Sequence, residues 1–240
     1  MSRRRILLPP ARIDAGRGLL DDAGRHYLRD VLRLSPDDEV EVFDGGGGRF
    51  AGRILPGFDA IALGPRQDAP HAGAEVTLLF ALARGEKNDL VVQKATELGA
   101  ACVAPFAAER SVVRLDAERG EERTRRWRRI AGEAARQCGR DDVPAIRAPA
   151  PLGEALAALA PGTRIFAFHP GGAPIASLGA RAAPTLAAVV GPEGGLDEGE
   201  IEACERAGAM RASLGPRTLR AETAAIVALA LLQAHFGDLA

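Results

Sequence analysis

Lysine is nearly missing from this chain. Of its 31 basic residues only Lys87 and Lys94 are lysines, leaving 29 arginines. Cysteine is scarce as well. Cys102, Cys138 and Cys204 are odd in number and far apart, which argues against a disulfide framework and a thiolate metal site. His26, His71, His169 and His235 are equally scattered, so no metal is expected. No run approaches the ~20 apolar residues of a bilayer span. The basic opening MSRRRILLPPAR offers only Ile6–Leu8 before Pro9 and Pro10, too short for a signal-peptide core. These absences predict a cytoplasmic, metal-free protein. What is present, 240 residues with 47% apolar and 26% charged, suits an ordinary globular chain of one large domain or two unequal ones.

The formal charge of −1 hides a pattern. Residues 1–33 hold 8 Arg against 4 Asp, and residues 110–147 hold 11 Arg against 7 acids. Residues 191–240 reverse it, with 4 Arg against 8 acids. Local basic surfaces on a neutral chain fit a polyanion read in one place. A general bias toward Ala, Gly and Arg explains the same counts, so charge alone decides nothing.

Residues 1–68 and 74–240 read differently. The first stretch has a short helix around Arg25–Leu32 and an alternating run Glu39–Phe43. The turn Asp44–Gly48 and a second apolar run, Phe50–Leu55, complete a hairpin signal. With Ile61–Leu63 as a further strand, this predicts a small β-barrel. Residues 67–73 read as a linker. The second stretch alternates strands (Glu75–Ala83, Cys102–Pro105, Arg164–Phe168, Leu186–Val190, Met210–Leu214) with helices (Asn88–Leu98, Glu121–Cys138, Glu198–Ala207, Ala221–Phe236). Ala150–Pro161 reads as a surface helix and turn. Such alternation predicts an α/β fold with a parallel sheet.

The sharpest segment runs Val189 to Asp197: a buried strand, the loop Gly191-Pro192-Glu193-Gly194-Gly195, then a helix that Asp197 is placed to cap. Ligands of open α/β folds bind at the carboxyl ends of strands, and glycine lets backbone approach them closely. Glu193 would repel a polyphosphate, and the P-loop and dinucleotide spacings are missing. A neutral or cationic ligand fits better. A second loop, Ser213–Arg220, repeats the design before the last helix opens at Ala221-Glu222-Thr223. Two such loops in consecutive strand–helix units become neighbours if their strands pair, giving one shared pocket. A third group is Arg136, Gln137 and Arg140 on one helix, with Arg110 placed to join them. Arginines sharing a face hold phosphates, and glutamine pairs with a base edge. A solvated helix face explains that third group equally well. His26 reads as a half-buried helix residue rather than a catalyst.

Together the segments resemble the ribosomal small subunit methyltransferase E family. His26–Arg33, Gln93–Gly99, Glu109–Ser111, Glu133–Arg140, Gly191–Gly195 and Leu214–Thr223 match its signatures in order. Thr218 stands where an aliphatic residue is usual, and Ala221 where Thr is common. The resemblance implies S-adenosylmethionine-dependent methylation of ring nitrogen 3 of a uridine in small-subunit (16S) ribosomal RNA. It implies a PUA-like RNA-binding β-barrel over residues 1–70 and a SPOUT α/β domain with a trefoil knot over 74–240, acting as a homodimer. Phe168, His169, Gly191, Glu193, Gly194, Leu214, Gly215 and Leu219 would then bind the cofactor. Ala224, Ala225, Ala228, Leu231 and Leu232 of the last helix would form a dimer surface, with burial inside one chain as the alternative.

Uracil nitrogen 3 carries a proton and is a poor nucleophile until it leaves. The site should therefore stabilise the uracil anion or remove that proton. Arg220 or Arg140 is placed for the first role, and Glu193 or Glu222 for the second. RNA contacts are expected at Arg3, Arg4, Arg5, Arg12, Arg29 and Arg33, with Arg110, Arg136 and Gln137 beside the pocket. A non-catalytic RNA-binding module and a small-molecule α/β enzyme are the competing readings. The glycine loops weigh against the first, and Glu193 with the missing phosphate motifs against the second.

Overall fold

A computed structural model of the chain describes residues 4–68, 73–110, 117–177 and 185–239. Arg3, most of the expected linker, and the stretch after Arg110 that begins at Ser111 lie outside the described residues. The backbone divides into two compact units: residues 1–71 with 132–143, and residues 72–131 with 144–240.

The first unit carries β1 (Arg5–Leu7), β2 (Ile13–Asp14), β3 (Arg17–Leu19), α1 (Asp22–His26), β4 (Glu39–Phe43), β5 (Gly48–Ile54), β6 (Ala60–Leu63) and β7 (Gln67–Asp68). Among the described residues they form one half-barrel sheet in the order β1-β4-β5-β6-β3-β2, with β7 on β5. Every pairing is antiparallel except β1 on β4. Burial alternates along β5, as expected of a strand with one face on a core. That core gathers Leu28, Val42, Ile54 and Ile61. The expected hairpin is present. Its glycine turn is held by Asp44, whose Oδ1 accepts from the Gly46 and Gly48 N–H groups at 2.7 and 2.9 Å. The expected helix starts earlier, where Asp21 accepts from Gly24 N–H, and passes into a π-turn at Tyr27–Val31. His26 is exposed there rather than half-buried, bonded to Asp30 at 2.8 Å.

One correction concerns Arg5, expected on an RNA surface. It is 1% exposed, lies 2.6 Å from Glu41, bonds to Asp141, and stacks on the Phe43 ring. A cation so enclosed ties residues 132–143 to the first sheet and cannot reach a phosphate.

The second unit carries β8 (Glu75–Ala81), α2 (Lys87–Glu97), β9 (Ala100–Ala107), α3 (Ala117–Cys138, its last turns belonging to the first unit), β10 (Ala145–Ile146), β11 (Ala150–Pro151), α4 (Leu152–Ala157), β12 (Arg164–Pro174), β13 (Thr185–Val190), α5 (Glu198–Arg206), β14 (Met210–Ser213) and α6 (Ala221–Phe236). Its sheet is entirely parallel, ordered β10-β9-β8-β13-β12-β14 with β11 on β9. Central β13 is buried from Leu186 to Val190, the continuous apolar run of a strand covered on both faces. No described helix is long and apolar enough to cross a membrane. On α6, Ala225, Ala228 and Leu232 are fully buried within this chain, so they leave the expected dimer surface for the core. Leu231 stays exposed.

Candidate active site

The site sits at the carboxyl ends of β12, β13 and β14. Three local features build it. The first is the turn after β13, where Gly195 N–H donates to Pro192 O at 2.8 Å and Gly195 takes φ +72°. The turn closes so tightly that a Cβ on Gly191 would stand 2.8 Å from Leu196 N. The second is the capping box of α5. Asp197 Oδ1 accepts from Glu200 N–H at 2.7 Å, and Glu200 Oε2 accepts from Asp197 N–H at 2.9 Å. Glu200 Oε1 also accepts from Glu109 N–H at 3.0 Å, which sets the next side chain, Arg110, to donate to Gly194 O at 2.9 Å. The third is an irregularity in β12. Its pairing with β13 ends at Phe168, and its ladder with β14 shifts register between Phe168 and Ala173. Phe168, His169 and Pro170 are thereby turned to the site, while Gly172 runs so close to Ala212 that no side chain would fit.

These features enclose a cavity of about 280 Å³. Every residue expected to bind the cofactor lines it: Phe168, His169, Gly191, Glu193, Gly194, Leu214, Gly215 and Leu219. Arg110, Arg217 and Ala224 line it too. The two loops therefore share one cavity, although their strands do not pair as expected: β12 lies between β13 and β14. A larger concavity of about 880 Å³ lies on the first sheet, an open groove flanked by Arg4, Arg49 and Arg53 but also Glu39 and Glu41. It has none of the glycine-loop chemistry.

The residue that sequence reasoning missed is Lys87. Its Nζ donates to Glu193 Oε1 at 2.8 Å and lies 3.3 Å from Glu222 Oε2. The two carboxylates considered as bases are thus brought to one ammonium. That hydrogen bond, helped by the N–H groups of Glu193 and Ala221, holds the Glu193 carboxyl below its usual range despite some burial. The same bond raises Lys87. Glu222 is largely buried, and its Oε2 has no hydrogen bond of ordinary geometry among the described residues. The next residue, buried Asn88, anchors the start of α2: its Oδ1 accepts from Ala83 N–H at 2.9 Å and its Nδ2 donates to Ala83 O at 2.7 Å. The scarcity of lysine was the available signal. Where arginine serves nearly everywhere, a retained lysine marks a place for a compact or titratable charge.

The remaining candidates are dispersed. Arg220 is the exposed N-cap residue of α6. Arg140 is in the first unit, paired with Asp142 through contacts of 3.1 and 2.6 Å. Arg136 lies over the Tyr27 ring at 4.1 Å, with Gln137 exposed beside it. Arg12 pairs with Asp21 at 2.6 Å, Arg4 with Asp38 at 3.8 Å and Arg29 with Asp30 at 3.1 Å. Arg33 is exposed, with φ +53°. Arg110 is not grouped with Arg136 and Arg140 in one unit.

Fold and site define a class. The family profile described as an RNA methyltransferase domain matches residues 70–233, and the RNA methyltransferase PUA domain matches residues 20–60. Within that class the chain belongs to the ribosomal RNA small subunit methyltransferase E family. The member from Synechocystis is 33% identical over 237 residues, covering 96% of this chain and 77% of the relative. That from Mycobacterium bovis is 34% identical over 218 residues, covering 87% and 82%. Among solved structures, a Legionella pneumophila protein in complex with the bound cofactor SAM aligns with a TM-score of 0.89 at 30% identity, over 100% of both chains. The ribosomal RNA small subunit methyltransferase E of Neisseria gonorrhoeae, bound to S-adenosyl methionine, aligns at 0.88 and 27% identity, over 99% and 100%.

Proposed function

We propose that this protein transfers a methyl group from S-adenosylmethionine to ring nitrogen 3 of a uridine in small-subunit (16S) ribosomal RNA. The observation that carries the reading is the single cavity shared by the two glycine loops, with Glu193 on its wall. The residues suit the donor. The volume is near the lower end of ligand pockets, ~300–1000 Å³. Loop backbone supplies hydrogen-bonding groups, Phe168 an apolar surface, and Glu193 an anion for a positively charged ligand. Loop backbone at Gly191, Leu214, Gly215 and Leu219 holds the adenosine part, with Phe168, His169 and Gly194 along the walls.

S-adenosylmethionine, when bound, supplies an electrophilic methyl group on a positive sulfur. The chain's residues do the rest. Glu193 faces the cavity as an anion, and the depression of its pKa suits a charge partner better than a proton acceptor. Arg220 heads α6 beside Glu222 and stabilises negative charge on a uracil carbonyl oxygen, which eases loss of the nitrogen-3 proton. Glu222 is the carboxylate left to accept that proton. Arg140, given to Asp142, serves the RNA surface with Arg4, Arg12, Arg29, Arg33, Arg110, Arg136 and Gln137.

The same reading includes a PUA-like RNA-binding domain over 1–70, a knotted SPOUT domain over 74–240, a cytoplasmic homodimer joined along the exposed side of α6, and an assembled 30S subunit as substrate. The test is incubation with labelled S-adenosylmethionine and unmodified small subunits, followed by mapping. Label on nitrogen 3 of one uridine is expected; label elsewhere, or none, overturns the reading.

A further inference from the structure

We infer that Lys87 is a positioning residue of the methyl-transfer site, clasping Glu193 of the first glycine loop to Glu222 of the last helix. The inference rests on the proposed role of Glu222 as proton acceptor. Both carboxylates contact one nitrogen, so their facing oxygens lie no more than about 6 Å apart. Glu193 lines the cavity, and Lys87 and Glu222 connect to it through Glu193. The clasp thus joins three segments: the start of α2, the loop after β13 and the first turn of α6.

The chemistry follows from proximity. Two carboxylates this close repel each other, and an ammonium between them offsets that repulsion. Lys87 supplies that ammonium and holds the Glu222 carboxylate in place against Glu193. Other charged groups surround the clasp. Arg220 precedes Glu222 by two residues, Arg110 reaches the loop at Gly194, and Arg217 lines the cavity. Arg84 and Glu86 belong to the loop before Lys87, and Asp89 is taken by Arg126 and Trp127. Among the described residues none of these groups bridges Glu193 and Glu222 as Lys87 does.

The experiment compares wild type, Lys87→Met and Lys87→Arg. In the ligand-free protein with carboxyl-labelled glutamate, NMR follows the two carboxyls, assigned from Glu193→Gln and Glu222→Gln. Lys87→Met is expected to raise the midpoint of one by about one pH unit or more; Lys87→Arg is expected to restore it. Single-turnover methyl transfer is then measured from pH 6 to 9. For a midpoint raised to about pH 6 the deficit of Lys87→Met should be about twofold at pH 6 and vanish toward pH 9, because the raised carboxyl regains its charge as pH rises. Unchanged midpoints overturn the clasp. A deficit constant across pH, despite shifted midpoints, overturns the role in transfer and leaves Lys87 structural. If the wild type methylates no small-subunit RNA, the proposed function fails with the role in transfer, while the NMR titration still decides the clasp.

Discussion

Replacing Gly191 by alanine should damage the site more than its one carbon implies. The added Cβ would stand 2.8 Å from Leu196 N, 3.0 Å from Leu196 Cγ and 3.1 Å from Gly195 C. Ordinary contact begins near 3.4 Å, so the turn must open by roughly half an ångström. Leu196 cannot yield, being 4% exposed and packed with Ile201 and Cys204. The displacement therefore passes to Pro192–Gly195, the backbone that lines the cavity. Overpacking of this kind costs about 1–3 kcal/mol, roughly 2–10 °C of melting temperature in a chain this long. Misplaced binding backbone should weaken S-adenosylmethionine by on the order of ten- to a hundredfold. Gly194→Ala is the control for stability. Its Cβ meets only the Arg110 side chain, at 3.6 Å, so melting should stay within about 0.5 kcal/mol of wild type. Calorimetric titration and thermal melting read both effects. A Gly191→Ala protein with wild-type melting and affinity would refute the argument that this turn is built around a missing side chain.

Three further outcomes are expected. Asp141→Ala strips the buried Arg5 of its most enclosed partner, leaving partly exposed Glu41; urea unfolding should show a loss of about 3 kcal/mol, and a loss below 1 would mean Glu41 alone suffices. Burial pushes the Asp44 carboxyl up, but the Gly46 and Gly48 N–H groups and Arg66 more than offset it, so its pKa lies below the ordinary 3.8; the folded state therefore gains from this charge above pH 3.8 and loses the gain as pH falls through the depressed value. Asp44→Asn should accordingly be less stable than wild type at pH 6, with the gap closing below pH 4; a gap that widens in acid would reverse the sign. Arg110→Met removes the bond to Gly194 O from an exposed position, so melting should move by less than about 0.5 kcal/mol while RNA affinity falls and its dependence on salt flattens; an unaltered salt slope, measured by filter binding across a salt series, would remove Arg110 from the RNA surface.

The elements were legible where one local rule governs them. Asp197 caps α5 as its sequence position promised, and the structure adds Glu200 to complete a capping box. The alternating run of β4 and the unbroken apolar run of β13 each mark a strand that is found where it was read. The shared cavity was legible for a related reason: in a parallel sheet, consecutive strand–helix loops emerge on the same edge. What failed was every inference needing two distant residues to meet. Arg5 looked like one more surface arginine because nothing near it in sequence shows that Asp141, 136 residues on, closes over it. The long arginine-faced helix read as one element of one domain, yet its last turns group with the first sheet, where Arg136 lies over the Tyr27 ring. The apolar character of α6 was plain, but on a helix so uniformly apolar no periodicity separates core from surface, so Ala225 and Leu232 could not be told from Leu231.

Lys87 shows the limit most clearly. Both carboxylates it holds were singled out from sequence, and ranking them as bases stalled because an isolated Glu in a glycine loop and an isolated Glu on a first helical turn offer no difference in basicity. The difference arises from a third residue more than a hundred positions away. Once that ammonium is in place, the two acids cease to be alternatives. The one on the cavity wall, with several donors directed at it, is stabilised as an anion. The other, Glu222 on the first turn of α6, is largely buried and stands 3.3 Å from the same ammonium. A division of labour between like residues is set by their environments, and here the environment is one lysine in a chain that otherwise uses arginine.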